Sequence, residues 1–128
     1  MKIRLEGGLP FVHVTVAFRG RSLHLQNVLL DTGSAGTVFS ADRLAGIGVE
    51  PEPLDVTHLI RGIGGTEFVY SKTLESITMD NMMLDGSSVE IGPMDYGFDI
   101  DGILGFDLIR EAKLVIDASR MSIFKATE

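Results

Sequence analysis

The chain has 128 residues, 45% of them apolar and 23% charged, and sets 18 acidic against 11 basic side chains for a net charge of −7. That length suits one domain, 1–128, able to bury a core of its own, since domains commonly hold about 100–150 residues. An acidic balance without any basic run argues against nucleic acid as a partner, and the lack of cysteine excludes disulfides, thiolate nucleophiles and Cys-ligated zinc.

In chain order, Met1-Lys2-Ile3-Arg4-Leu5-Glu6 mixes charged and apolar residues, unlike a signal peptide. No stretch approaches the roughly 18 apolar residues of a membrane helix. A soluble, cytoplasmic protein with no membrane partner is the expectation. From Phe11 to Phe18 the residues Val12, Val14, Val16 and Phe18 alternate with the period of a half-buried strand. Arg19-Gly20-Arg21-Ser22 turns the chain into a second strand, Ser22 to Leu30. Ser40 to Ala45 reads as a short helix capped by Ser40 and closed by Gly46 and Gly48. After the Pro51 and Pro53 loop come two strand-like runs, Val56 to Arg61 and Thr66 to Ser71, joined by Gly62-Ile63-Gly64-Gly65 as a hairpin. Thr73 to Met79 and Ser87 to Ile91 are further strands, and Gly92 to Asp101 is turn-rich. Ile103-Leu104 is a short apolar strand, Asp107 to Ala112 one or two helical turns, and Lys113 to Ile116 with Met121 to Phe124 close the chain as strands. The 15 glycines exceed the usual share of about 7% and fall between apolar runs, which predicts many tight turns. The fold class expected is all-β with one or two short helices.

The segment that carries chemistry is Leu29-Leu30-Asp31-Thr32-Gly33-Ser34-Ala35-Gly36-Thr37, where an acid follows an apolar strand end and enters a turn. By itself this is also an ordinary β-turn with Asp at its first position. Two later features accompany it: the glycine-tipped hairpin, and Asp101-Gly102-Ile103-Leu104-Gly105.

In this order and spacing the three segments resemble the retropepsin-type aspartic proteases, the single-lobe relatives of pepsin. Asp31-Thr32-Gly33-Ser34 is similar to the family's catalytic loop, Gly62-Ile63-Gly64-Gly65 to its flap tip, and Ile103-Leu104-Gly105 to a structural strand beside the site. The resemblance covers about residues 9 to 125 and implies a closed, pepsin-like β-barrel lobe with a flap hairpin. It implies an aspartic endopeptidase with Asp31 as catalytic acid and no metal or other cofactor. Two carboxylates sharing one proton do the chemistry of such a site, because like charges about 3 Å apart cannot both ionise. The sequence holds one Asp-Thr-Gly, so the second carboxylate comes from another copy, and the partners are a second copy of the chain and a peptide substrate. Thr32 would hydrogen-bond across the two-fold axis, Gly33 would let backbone N–H groups approach the carboxylate, and Ser34 would donate to the outer oxygen of Asp31. Apolar walls suggest apolar substrate side chains beside the scissile bond. Met1 to Leu5 and Met121 to Ala126 are candidates for strands interleaved between protomers.

Other constellations read as structural. Asp95, Asp99, Asp101 and Asp107 do not fit a calcium loop, because Gly97 falls on a ligand position, and they read as solvated turn acids. His13, His24 and His58 lack zinc spacing, and Met79, Met82 and Met83 read as core filling. Tyr70 lies too far down its strand for a pepsin flap tyrosine. Asp117 follows Leu114-Val115-Ile116 but precedes Ala118-Ser119, so the turn that a second catalytic acid needs is missing. The alternative to an enzyme is a non-catalytic module that keeps the fold for dimerisation or peptide binding.

Overall fold

The structure, a computed structural model, describes residues 1–62 and 65–127, with residues 60–62 and 65 described by backbone alone. In chain order the elements are β1 (Arg4–Glu6), β2 (Leu9–Phe18), β3 (Arg21–Leu30), β4 (Val38–Ser40), α1 (Ala41–Ala45), β5 (Thr57–Gly62), β6 (Gly65–Thr73), β7 (Ser76–Met79), β8 (Met82–Asp85), β9 (Ser88–Gly92), β10 (Gly102–Leu104), α2 (Phe106–Glu111), β11 (Leu114–Asp117) and β12 (Ser122–Lys125). The chain is thus mostly β with two short helices. Local chemistry explains the joints. Arg19 and Gly20 both take positive φ, 48° and 81°, the geometry that lets a two-residue turn follow the twist of β2 and β3. The Ser40 hydroxyl accepts from Arg43 N at 3.2 Å and starts α1. β4 and β8 were not expected as strands; each has only three or four residues, too few for a period of two to register.

Ten strands share one sheet in the order β5-β6-β9-β4-β10-β3-β2-β7-β8, with β1 added on β2, and β11 and β12 form a separate pair. The expectation of a closed barrel is corrected here: the path opens at β5 and ends at β8, which do not pair among the described residues. β5 is the outer arm of a hairpin and pairs only with β6 among the described residues, and the hairpin projects far enough that Leu59 and Phe68, paired across it, are 57% and 69% exposed.

The termini meet each other. Ile3 N donates to Met121 O at 2.8 Å and Ile123 N to Met1 O at 2.9 Å, so these segments bond to one another within one chain. No helix of the described residues is long and apolar enough to cross a membrane.

The two faces of the sheet differ. Cross-strand partners share a face and successive residues alternate. Val28, Leu30, Leu104, Phe39 and Ile91 fall on one face and belong to the main core cluster. The register Leu29–Ile103–Val38–Glu90–Ser71 runs across the other face. Val38 and Val69 are buried on that second face yet stand outside the core cluster. The second face is therefore a floor of its own, half open to solvent.

Candidate active site

Asp31 leaves β3 on that second face, two residues after Leu29. The parallel pairing of Leu30 with Leu104 continues for one more bond, Asp31 N to Leu104 O at 3.0 Å, which sets the acid at the end of the paired strands. The turn then folds back on the side chain: Gly33 N donates to Asp31 Oδ1 at 2.9 Å, and Ser34 N to Asp31 O at 3.2 Å. A Cβ on Gly33 would lie 3.3 Å from Asp31 Oδ1, so glycine leaves the carboxylate room to receive that N–H. Thr32 is exposed at the tip of the turn.

The bond expected from Ser34 to the outer oxygen of Asp31 is not made. Ser34 Oγ donates instead to Gly36 O at 2.8 Å, because the loop bends back within reach of that carbonyl. Ser34 still supports the loop, through Gly36 and through its own carbonyl, which accepts from Phe106 N at 2.7 Å.

Segment 105–107 holds the loop from behind. A Cβ on Gly105 would meet the Gly36 carbonyl carbon at 2.6 Å and Ser34 O at 2.9 Å, so only glycine allows this approach. Gly105 N donates to Thr37 Oγ1 at 3.0 Å, and that hydroxyl donates to Asp107 Oδ1 at 2.8 Å. Thr37 is fully buried with its polar atoms satisfied. Ile103 lies on the Asp31 face beside Leu29, and Leu104 points into the core. Sequence reasoning missed Thr37 and Asp107; their signal is a polar pair flanking two glycine-rich steps, which no periodicity marks.

Asp101 is also corrected: it is 2% exposed, not a solvated turn acid. It accepts from Asn27 N at 3.0 Å and from Arg43 Nη1 at 3.0 Å, tying β3 and α1 to the start of β10. Asp117 caps its own turn, accepting from Ser119 Oγ at 2.7 Å and Arg120 N at 3.0 Å, and the Ser119 hydroxyl leads the causes that hold its carboxyl below the usual range. Burial pushes the Tyr70 phenol up. Among the described residues no group of three or more His, Asp or Glu side chains is placed to hold a metal ion.

The hairpin tip Gly62-Ile63-Gly64-Gly65 is described only in part: Gly62 and Gly65 are paired across β5 and β6, and Ile63 and Gly64 lie outside the described residues.

A family model described as aspartyl protease matches residues 14–108, which include the Asp31 turn, both arms of the hairpin and the Gly105 step. The chain belongs to the aspartyl protease family. This aspartyl protease is also similar in fold to the crystal structure of a retropepsin-like aspartic protease from Rickettsia conorii, with a TM-score of 0.68 and 18% identity over 96% of this chain and 95% of that one. No curated protein matches the sequence. The family is aspartyl protease and the fold is retropepsin-like.

Proposed function

We propose that the chain is one retropepsin-like domain acting as a homodimeric aspartic endopeptidase, with Asp31 contributed by each protomer. The observation that carries this reading is the single Asp-Thr-Gly turn, formed around Asp31 at the open end of the paired strands β3 and β10 and gripped by Gly33 N. One carboxylate of the dyad is charged and takes a proton from a bound water as that water attacks the peptide carbonyl. The protonated partner donates toward the carbonyl oxygen, and the resulting intermediate collapses with a proton delivered to the leaving nitrogen. Thr32, exposed at the turn tip, would bond across the two-fold axis. Phe106, 51% exposed and bonded through its N–H to the loop, offers apolar surface to the second copy. The β5–β6 hairpin serves as the flap that covers an extended peptide and excludes water.

The test is cleavage of an unstructured polypeptide, followed across pH 3 to 8 together with sedimentation. Dimeric protein is expected to cleave, to be blocked by a pepstatin-like inhibitor, and to lose all activity in Asp31→Asn with the dimer intact. Dimeric protein that binds peptide and never cleaves it would leave the non-catalytic module instead.

A further inference from the structure

The open sheet face changes character one strand beyond the acid's neighbours. Near Asp31 it is apolar, with Leu29, Ile103 and Val38 in register. On β9, β6 and β5 the same face carries Glu90, Ser71 and His58, since Glu90 pairs with Val38 and Ser71, and His58 pairs with Val69, two residues before Ser71. These three side chains form one cluster. His58 Nε2 lies 2.9 and 2.8 Å from the two Glu90 oxygens and 3.0 Å from Ser71 Oγ, which lies 3.2 Å from each Glu90 oxygen.

The donors around Glu90 do not use it up. An ionised carboxylate offers about four lone-pair sites, whereas one ring N–H and one hydroxyl proton fill two, and the Glu90 side chain is 25% exposed. The charge is also poorly offset. Glu67, two residues before Val69, shares this face and is itself acidic. Lys72 belongs to the opposite face and is taken by Glu52 at 2.8 Å and Asp55 at 2.6 Å. Among the described side chains of β4, β5, β6 and β9, His58 is the only basic residue on Glu90's face, and no Lys or Arg shares it.

We propose that Glu90, oriented by His58 and Ser71, is a specificity-determining residue that seats a basic side chain, lysine or arginine, of the bound peptide. This rests on the protease reading above and gives its substrate a chemical class. Strand β9 is three strand spacings from β3, roughly 14 Å at about 4.8 Å each, the span of about four residues of extended peptide. The basic side chain therefore sits away from the scissile bond, and the apolar floor at Leu29, Ile103 and Val38 takes the residues next to it. Arginine or lysine meets an acceptor already held by two donors, so little ordering is left for the moment of binding.

The experiment uses a peptide series with lysine, norleucine or glutamate at each of four positions on either side of the cleavage point. Cleavage is assayed at the pH of greatest wild-type activity, where the dyad keeps its one proton, and binding is read at the same pH. Wild type is expected to favour lysine over norleucine in kcat/KM by about tenfold at one position. Glu90→Gln, which keeps size and shape, is expected to abolish that preference, and Glu90→Lys to turn it toward glutamate. The same peptides are titrated into Asp31→Asn protein, reading Kd alone. Charge-dependent binding without cleavage would sink the endopeptidase reading and leave the seat standing. Cleavage with no lysine preference at any position, or one that survives in Glu90→Gln and Glu90→Lys, would overturn the role of Glu90.

Discussion

Thr37 and Asp107 are 70 residues apart in the chain and meet twice, Oγ1 to Oδ1 at 2.8 Å and N to Oδ2 at 3.3 Å. Because the same hydroxyl accepts from Gly105 N at 3.0 Å, one buried threonine fastens the far end of the Asp31 loop to the start of α2. The carboxylate of Asp107 also accepts from Leu108 N at 2.8 Å, so it orders the first turn of that helix as well.

Thr37→Val keeps the shape and removes the hydroxyl, which strands the buried Gly105 N–H and breaks one of the two contacts to Asp107. A loss of about 2 kcal/mol is expected, the usual cost of leaving a buried polar group without its partner. Urea unfolding measures it. A change below about 0.5 kcal/mol would show that the loop is fastened elsewhere.

Gly105→Ala places a methyl against backbone, with the Gly36 carbonyl carbon at 2.6 Å and Ser34 O at 2.9 Å. Backbone gives way less readily than a flexible side chain, so the catalytic turn must shift. Peptidase activity is expected to fall at least a hundredfold, in line with what a misplacement of about 1 Å costs. Full activity in the alanine variant would contradict the close approach.

Ser34→Ala is expected to leave the acidic limb of the pH–rate profile where it is. The hydroxyl bonds to Gly36 O at 2.8 Å and not to Asp31, so its removal does not touch the titrating carboxylate directly. A modest stability loss of about 1 kcal/mol is the expected effect, the net worth of one hydrogen bond. A moved acidic limb would restore a direct Ser34–Asp31 bond in the working enzyme.

Lys72 joins β6 to the loop at Glu52 and Asp55, and its hydrogen bond leads the causes that hold both carboxyls below their ordinary values of 4.5 and 3.8. Burial opposes the charge on Lys72, but its bonds to Asp55 and Glu52 prevail and raise its value above 10.5. The sign follows from linkage. The carboxyls, depressed in the folded chain, contribute stability above their unfolded values and lose it as pH falls through the folded ones. The raised lysine contributes below its unfolded value and loses it as pH rises through the folded one. Compared with Lys72→Met, wild type should therefore lose relative stability as pH drops from 6 to 3. Parallel stability curves for the two proteins over that range would count against this account.

Much of the architecture was legible because strands write themselves in alternation. Val12, Val14, Val16 and Phe18 announced β2, and all four are buried. The Asp31 turn was legible because an acid followed by Thr32 and Gly33 ends an apolar strand, and its chemistry only because the glycine-tipped hairpin and the Gly105 step follow it in order. Asp101 was misread because Asp95 and Asp99 beside it are exposed. What buries it is Asn27, 74 residues away, and Arg43 on α1, 58 residues away, and no local pattern carries partners at such distances. The open sheet had the same cause: whether β5 and β8 meet depends on where the hairpin projects, which neither strand encodes alone.

The split between the two sheet faces has a consequence for how this protein can change over generations. Slipping β9 by one residue would drive the Glu90 carboxylate into the core and push Ile91 out, so its register is locked by burial. Within that lock, positions 29, 38, 58, 71, 90 and 103 stand outside the main core cluster. If that face meets the substrate as proposed, selection can rewrite what is accepted at those positions while the opposite face goes on holding the molecule together, so appetite and architecture are inherited separately.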